Sequence, residues 1–269
     1  MKVSLIGMTG LVDENNNQMK TECPEVIAMR ASSICVGHID SYTLSSLKNA
    51  IKSGHDSVIE HISFTFLIEG VSRSLMAQLT RSRIATFHVE SQRYVKYLAG
   101  IDYVMPDSIK KNERLKNKFN KLMDEINRFY QEALEEKVPG EDARYIFPNA
   151  CKTNLIMTMN CRELKHFFNL RCCSRAQWEI RALANKMLSI CKEKAPIIFE
   201  NSGASCVEFG ECKEQKSCGK AKKIAENKDE MIRNYEKKID DFVSTLDKLI
   251  DENNMLRDML DQKGLNNNG

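Results

Sequence analysis

The sequence predicts an α+β fold, because segments with the period of a strand and segments with the period of a helix occur in one chain. Large apolar side chains recur at every second position in residues 62–68, and again at Leu155, Met157 and Met159. This alternation is typical of a half-buried β-strand. Residues 115–134 carry apolar side chains every three or four positions with charged residues between them, which indicates a long amphipathic helix.

The other elements of this core follow in chain order. Residues 3–6 are expected to form a short first strand. Helical spacing predicts four further helices, whose apolar positions are Leu44, Leu47 and Ile51; Leu75, Met76 and Leu79; Leu164, Phe167 and Phe168; and Ile180, Leu183, Met187 and Cys191. Ser72 and Asn160 precede the second and third of these helices as N-caps, while Gly54 and Pro196 follow the first and the last as stop signals.

Composition limits the class of protein. The chain has 269 residues, 42% of them hydrophobic, which is enough to build a core. Lys and Arg outnumber Asp and Glu by three (40 against 37), an excess too small to indicate nucleic-acid binding. No apolar run approaches the roughly 18 residues of a membrane span, and the first residues lack the apolar core of a signal peptide. We therefore expect a cytoplasmic protein that binds neither nucleic acid nor membrane, with its ten cysteines mostly reduced.

The character of the sequence changes after residue 201. We expect a folded core over residues 1–201, a Cys-rich connector over 202–220, a coiled-coil helix over 221–263 and a disordered tail over 264–269. The helix has seam positions at alternating steps of three and four residues: Ile232, Tyr235, Ile239, Phe242, Leu246, Leu249, Asn253, Leu256 and Leu260. Asn253 at an a position favours a parallel, in-register dimer, because the two amides then pair. The alternative is that this helix packs back onto the core.

Two groups of residues raise the question of a metal site. Cys206, Cys212 and Cys218 are each separated by five residues, whereas zinc thiolate sites usually place two to four residues between paired cysteines. Residues 54–61 contain two histidines and a glutamate, but not in the H-E-x-x-H arrangement. For the three cysteines we favour reduced thiols or a small folded loop, with zinc binding as the alternative. For residues 54–61 we favour a structural loop without a bound metal, with a metal site as the alternative.

The densest group of polar residues runs from Gln78 to Tyr94 and includes three arginines, two serines and two amides. Arginine guanidiniums bind phosphate through two parallel hydrogen bonds, and a hydroxyl adds a donor. A phosphorylated small molecule is therefore a natural ligand. The alternative is a solvated basic loop, since arginine-rich surface loops are common.

A further group follows the second predicted strand. Arg162 and His166 lie four residues apart and would share one face of a helix, with Arg171 near the end of that helix. The stretch at residues 176–181 then follows. Taken alone, each of these residues is interpreted by default as part of a surface ion pair.

Three motifs in register give the chain a family resemblance. Arg81-Ser82-Arg83, then seven residues, then Ser91 resembles the signature of the flavin-dependent thymidylate synthases, the ThyX family. The groups at residues 54–61 and 160–181 are similar to that family's other motifs, in the same order. The resemblance covers residues 25–200 and implies an antiparallel sheet flanked by helices, with residues 1–201 as the catalytic domain and the coiled-coil helix as an addition.

The resemblance also implies roles for individual residues. FAD would be bound by Ser32, Ser57, Glu60, Arg81, Ser82, Arg83, Ile84, Asn160, Arg162 and His166. The substrate dUMP would be bound by Gln78, Ser91, Gln92, Arg93, Arg144 and Arg171. The implied catalytic residues are Arg171, which would face the uracil, His55, which would lie near the flavin and folate, and Ser91, which with Arg93 would lie nearest the phosphate.

The implied reaction is the methylation of dUMP to dTMP in a homotetramer whose active sites are shared between subunits. NADPH would reduce the FAD, and methylenetetrahydrofolate would donate the carbon. Three positions depart from the family pattern: Ser82 replaces a histidine, Val89 a glutamate and His166 an asparagine. A flavin-free thymidylate synthase needs an activated cysteine, and none of the ten matches that motif. The remaining alternative is a nucleotide-binding scaffold whose coiled coil recruits partners.

Overall fold

The computed structural model describes residues 1–12, 19–21, 23–38 and 41–265. The chain divides into two compact units, Met1–Glu208 and a second unit that begins at Phe209. The first unit is α+β, as the sequence predicts. The second consists of a short irregular segment and one long helix.

A four-stranded antiparallel sheet is the centre of the first unit. Its strands run in the order β1 (Lys2–Met8), β4 (Ser63–Ser72), β6 (Lys152–Asn160) and β5 (Thr86–Val89). A separate pair joins β2 (Leu11–Val12) to β3 (Met19–Thr21). The strand predicted at residues 62–68 therefore extends to residue 72. The sequence patterns did not predict β5, which is only four residues long.

Helices cover the sheet and link its strands. In chain order they are α1 (Glu25–Ile34), α2 (Leu44–Lys52), α3 (Arg73–Leu79), α4 (Asp107–Lys110), α5 (Glu113–Glu135), α6 (Gly140–Ala143), α7 (Cys161–Arg171), α8 (Trp178–Lys194), α9 (Pro196–Phe199), α10 (Ser205–Glu208) and α11 (Lys220–Leu265). Two 3₁₀ helices, Asp56–Ile59 and Arg144–Ile146, complete the set in the described residues. The five predicted helices of the core are confirmed as α2, α3, α5, α7 and α8.

The core lies on one face of the sheet, because side chains alternate between the two faces along each strand. In β4, Phe64 and Phe66 are fully buried, while Thr65 between them is only half-buried. The Phe64 ring meets the ring of Phe199 edge-on at 6.0 Å, and Phe199 meets Phe168 of α7 in the same way at 5.9 Å. These aromatic contacts fix α7 and α9 on the buried face.

Two glycines allow turns that other residues resist. Gly54 has a φ of +76° directly after α2, in the left-handed conformation that ends many helices. Gly70 has a φ of +67° within β4, where the register with β6 shifts between Ile68 and Val71. A bulge at this point bends the strand before it enters α3.

The structure confirms the prediction that Ser72 is the N-cap of α3. Its hydroxyl accepts a 3.0 Å hydrogen bond from the backbone N–H of Leu75. The same hydroxyl donates to Glu179 Oε2 at 2.5 Å, and the Ser72 backbone N–H donates to Glu179 Oε1 at 2.8 Å. Both residues are 3% exposed, so a buried carboxylate holds the junction of β4 and α3 to the start of α8.

Within the predicted Cys-rich connector, residues 205–208 form the short helix α10, which the sequence did not predict. Glu208, the last residue of α10, accepts a 2.8 Å hydrogen bond from Asn169 of α7 and lies 3.3 Å from Lys165 Nζ. Lys165 also lies 3.7 Å from Asp56 of the first 3₁₀ helix. These tertiary contacts order a helical turn that has no sequence signal of its own.

The long helix of the second unit spans 46 residues and ends at Leu265. Its described seam side chains are exposed, from 42% at Leu246 to 66% at Phe242. The side chains of Asn253, Leu256 and Leu260 lie outside the described residues, as do residues 266–269 of the predicted tail. No helix in the described part of the chain is long and apolar enough to cross a membrane.

Replacing Ser72 by Ala should lower the free energy of unfolding by about 2–3 kcal/mol, because it removes an N-cap and leaves one oxygen of the buried Glu179 without its donor. Asn112→Ala is the matched control, since Asn112 caps α5 in an exposed position and should cost only about 1 kcal/mol. Urea unfolding at one fixed chain concentration measures both. Equal losses would contradict the role given to Glu179.

Candidate active site

One group of predicted site residues lies where β4 begins and β6 ends. Ser63 pairs with Asn160 across the two strands, and the Asn160 side chain accepts a 2.9 Å hydrogen bond from the backbone N–H of Glu163. This N-cap starts α7 directly at the sheet. Arg162 and His166 are exposed on the first two turns of α7. We call this region the Asn160 end.

The 3₁₀ helix Asp56–Ile59 packs against α7 at the Asn160 end. Just beyond it, the Glu60 carboxylate accepts a short hydrogen bond from the Arg162 guanidinium. That hydrogen bond, together with the carboxylate charge, raises the pKa of Arg162. His55 and Ser57 are exposed in the same segment. The structure therefore brings the motif at residues 54–61 to the start of α7.

Residues 81–84 reach the same region by way of β5. Thr86 pairs with Thr158, two residues before Asn160, so the segment that leads into β5 approaches from the Asn160 end. The two arginines of this segment are exposed, and neither makes an ion pair within the described chain. Ile84 is 66% exposed. Cationic, hydroxyl and apolar side chains are thus presented together at this end.

A second group surrounds the loop of residues 90–97, which follows β5. Arg93 Nε makes a 2.6 Å ion pair with Glu141 Oε2, and Arg144 Nε donates a 3.0 Å hydrogen bond to the backbone carbonyl of Glu141. Ser91 Oγ accepts a 3.2 Å hydrogen bond from the backbone N–H of Arg93. Two arginines and a serine that the resemblance assigns to dUMP are therefore neighbours.

Gln92 faces a buried cysteine. Its Nε2 donates to Cys151 Sγ at 3.8 Å, and burial raises the pKa of that thiol to about 11. Burial likewise raises the pKa of Cys161 and of Cys191. These three thiols are protonated at neutral pH, which is the opposite of what an activated nucleophile requires.

Three further predicted residues lie on other elements. Ser32 is 7% exposed, donates to a backbone carbonyl of its own helix at 2.7 Å, and lies 3.1 Å from Ser46 Oγ of α2. Gln78 is in the last turn of α3 rather than in the 90–97 loop. Arg171 is the last residue of α7, about 15 Å along the helix axis from the Asn160 end.

The two groups occupy different parts of the sheet. The backbone N–H of Glu90 donates to the carbonyl of Asn154 at 2.9 Å, and Asn154 precedes Asn160 by six residues on β6. At about 3.4 Å per residue, the Asn160 end and the 90–97 loop are separated by about 20 Å along this strand. Within one chain, the residues assigned to FAD and most of those assigned to dUMP are therefore not adjacent.

The side chains of both groups fit the ligands that the resemblance implies. At the 90–97 loop a carboxylate, Glu141, already lies against Arg93, so an anion is accommodated at this guanidinium. Phosphate is a better match, since it offers more acceptor oxygens to a guanidinium pair. At the Asn160 end, the exposed arginines and hydroxyls match a cofactor with phosphates, and the exposed Ile84 offers an apolar surface to a flat ring.

Sequence reasoning missed three residues that organise the 90–97 loop. Glu141 lies three residues before Arg144 and one helical turn from it, a weak signal that the sequence does contain. Glu90 and Asn154 hydrogen bond to each other, but they are far apart in the chain and no local pattern links them. The described residues contain no group of three or more His, Cys, Asp or Glu side chains able to hold a metal ion.

Comparisons with known proteins show the family of the chain. Residues 14–197 match the family described as Thymidylate synthase complementing protein. A protein of Nitratidesulfovibrio vulgaris named flavin-dependent thymidylate synthase is 46% identical over 184 residues, which is 65% of this chain and 75% of that protein. Proteins of the same name from Geobacter sulfurreducens and Clostridium tetani are 42% and 43% identical, over 76% and 75% of this chain and 93% and 91% of theirs. The chain belongs to this family.

Proposed function

We propose that the chain is a flavin-dependent thymidylate synthase with the fold of the ThyX family. It makes dTMP by reductive methylation of dUMP, with methylenetetrahydrofolate as the carbon donor. The observation that carries this proposal is the presence, in a member of this family, of two separate donor-rich groups suited to anionic ligands. Bound FAD, once reduced by NADPH, supplies the hydride for the reaction.

The Asn160 end is the proposed flavin half-site. Its residues combine charge, hydroxyl groups and an exposed apolar side chain, and they are Ser57, Glu60, Arg81, Ser82, Arg83, Ile84, Asn160, Arg162 and His166. Glu60 holds the Arg162 guanidinium in place, so that its remaining N–H groups are oriented before a ligand arrives. Ser32 belongs to this set by resemblance alone, since its hydroxyl is buried between α1 and α2.

The 90–97 loop is the proposed nucleotide half-site. Arg93 and Arg144 bind the phosphate, with Ser91 and Gln92 completing the contacts of the loop and Gln78 contributed from α3. Because the phosphate is remote from the reacting carbon, these contacts supply binding energy that orients the uracil. The phosphate displaces Glu141 from Arg93, replacing one charged acceptor by another.

Arg171 is the proposed electrostatic catalyst. Transfer of a hydride to the uracil places negative charge on the ring, and the guanidinium at the end of α7 stabilises that charge. Arg171 is half-buried at the C-terminus of α7 and is the basic residue in the last turn of this helix, where the helix dipole favours a positive charge. His55 is proposed to line the region of flavin and folate, and Ser91 the region of the phosphate.

We propose that the active site is shared between subunits of a homotetramer. Reacting atoms must approach to about 3–3.5 Å, whereas the two half-sites of one chain lie about 20 Å apart along β6. Docking the Asn160 end of one subunit against the 90–97 loop of another brings the half-sites together. The exposed apolar side chains near these regions, such as Tyr94 at 78% and Tyr145 at 84%, then become covered.

The purified chain should carry or take up FAD, absorb light near the flavin bands and form dTMP only when dUMP, methylenetetrahydrofolate and NADPH are all present. Arg171→Ala should lower kcat at least about 100-fold, because it removes a charge that acts on the transition state. Arg175→Ala is the matched control: this arginine is exposed, four residues further along the chain, and outside both half-sites. Chromatographic assay of dTMP measures all three proteins.

Two results would overturn this account. A protein that neither retains FAD nor can be reconstituted with it is not a flavoenzyme. An Arg171→Ala variant with the kcat of the unmodified chain removes Arg171 from the reaction. Equal losses in Arg171→Ala and Arg175→Ala would point to general disruption of the segment after α7 instead of catalysis.

We further propose that α11 pairs with the same helix of a second copy as a parallel coiled coil. Its seam residues from Ile232 to Leu249 repeat with the heptad spacing and are exposed along the described helix. Association would bury apolar side chains that are otherwise half-exposed to water. The position of Asn253 in the sequence favours the in-register arrangement. The helix is assigned to assembly and not to catalysis.

Leu246→Asp should raise the concentration at which the assembly dissociates by at least about tenfold, because it places a charge in the apolar seam. Ser244→Asp is the matched control, since it adds the same charge at an exposed position outside the seam. Sedimentation velocity measures dissociation, and turnover per assembled subunit should remain unchanged in both. A Leu246→Asp variant that stays assembled but loses turnover would contradict the separation of assembly from catalysis.

A further inference from the structure

The Glu90 side chain closes the loop that carries the nucleotide half-site. Tyr97 donates its hydroxyl hydrogen to Glu90 Oε1 at 2.7 Å, so the first and last residues of the 90–97 loop are joined. Asn154 Nδ2 donates to Glu90 Oε2 at 2.5 Å. Each carboxylate oxygen thus has its own donor. The residues between the ends of this loop include Ser91 and Arg93.

Both partners of Glu90 are themselves held by the body of the unit. Asn154 lies on β6, and its Oδ1 accepts a 2.9 Å hydrogen bond from the backbone N–H of Gly70 on β4. The Tyr97 carbonyl accepts a 2.8 Å hydrogen bond from Gln131 of α5, and its ring meets Phe147 edge-on at 5.4 Å. The loop is therefore tied through one carboxylate to two strands and a long helix.

The backbone of Glu90 adds two further ties. Its N–H donates to the Asn154 carbonyl at 2.9 Å, and its carbonyl accepts a 3.1 Å hydrogen bond from Arg73 Nη2. Burial, followed by the hydrogen bond and charge of Glu90, raises the pKa of Tyr97 above its usual value. The phenol consequently remains a donor to the carboxylate throughout the neutral pH range.

We infer that Glu90 is a positioning residue for dUMP binding: it holds the 90–97 loop in the shape that presents Ser91 and Arg93 to the nucleotide phosphate. This inference rests on the proposed function of the loop. Glu90 touches neither substrate nor cofactor and acts through the order that it imposes on its neighbours. A loop ordered in advance binds more tightly, because less conformational entropy is lost on association.

The hydrogen bond between Glu90 and Asn154 can be tested by exchanging the carboxylate and the amide between the two positions. A carboxylate offers two acceptors to the two donors, Tyr97 and Asn154, whereas a glutamine offers one acceptor and turns an N–H₂ toward the Asn154 N–H₂. Asn154→Asp alone sets two carboxylates against each other. Glu90→Gln combined with Asn154→Asp restores one donor opposite one acceptor, and the carboxylate introduced at position 154 still accepts from the backbone N–H of Gly70.

The test compares Glu90→Gln, Asn154→Asp and the double variant in the full-length, FAD-loaded protein. Titration calorimetry with dUMP should give a Kd about five to ten times higher for each single variant, and within about twofold of the unmodified chain for the double variant. At saturating dUMP, kcat should stay within about twofold, and the flavin content should not change. A KM effect without a kcat effect separates positioning from catalysis.

Matched controls exclude a general loss of stability. Tyr97→Phe should raise the dUMP Kd, because it deletes the bond that closes the loop. Tyr103→Phe removes a comparable hydroxyl that donates to Asn120 at 3.0 Å outside the loop, and Glu113→Gln changes an exposed carboxylate on α5; both should leave the Kd unchanged.

Two results would overturn the inference: an unchanged dUMP Kd in Glu90→Gln, or a double variant that binds as weakly as the two single effects combined. The proposed function is tested separately by the unmodified chain. A chain that binds dUMP and forms no dTMP refutes the synthase activity, while the pattern of Kd values among the variants still decides the role of Glu90.

Discussion

The antiparallel register of β6 determines where the residues of both proposed half-sites lie. Its last residue, Asn160, pairs with Ser63 at the start of β4 and caps α7, which places Arg162 and the 54–61 motif at one point. Six residues earlier, Asn154 bonds to Glu90 and positions the start of the nucleotide loop. A slip of one residue in this register would turn every side chain of the strand to the opposite face and separate both half-sites from their supports. The buried row of Leu155, Met157 and Met159 excludes such a slip.

Charged residues reinforce this register at its edges, each through partners on other elements. The buried carboxylate of Glu179 binds the Ser72 cap where β4 enters α3. Glu60 forms a direct ion pair with Arg162 of one half-site, and in the absence of phosphate Glu141 pairs with Arg93 of the other. Glu90 performs a related task with neutral donors. In a dry or half-buried position, a carboxylate with all its acceptors satisfied gives a single geometry, which a ligand site requires.

The sequence predicted those elements whose periodicity is long and whose caps are local. The strand at residues 155–159, the helix of residues 113–135 and the N-caps Ser72 and Asn160 were all recognisable, because each depends on residues close together in the chain. The short strand β5 and the one-turn helix α10 were missed, since pairing with β6 and contacts with Lys165 create them. A short element has too few residues to show a clear periodicity, so tertiary contacts decide whether it forms.

In the candidate site, too, local motifs predicted some residues, while residues that depend on tertiary contacts were missed. Arg81, Arg93 and Arg162 were found from motifs, because their types and spacing resemble a family. Their supporting residues Glu90 and Glu141 were not, because partners such as Asn154 are distant in the chain and meet only in the fold. Ser32 lies outside these motifs and was named from the wider resemblance, and the structure places its hydroxyl between two helices. A resemblance to a family therefore predicts which residues belong to the site, but it does not predict the burial and hydrogen-bond partners of those residues.

The central claim is that the two half-sites of one chain work with those of other subunits. Co-expression of Arg162→Ala and Arg93→Ala chains under different affinity tags, followed by purification through both tags, tests it most directly. Each variant alone should be inactive. Hybrids should recover about a quarter of the activity of the unmodified protein, because some sites then combine an intact flavin half with an intact nucleotide half from another chain. Verified hybrids with no recovered activity would contradict the claim, since they would place the whole site within a single chain.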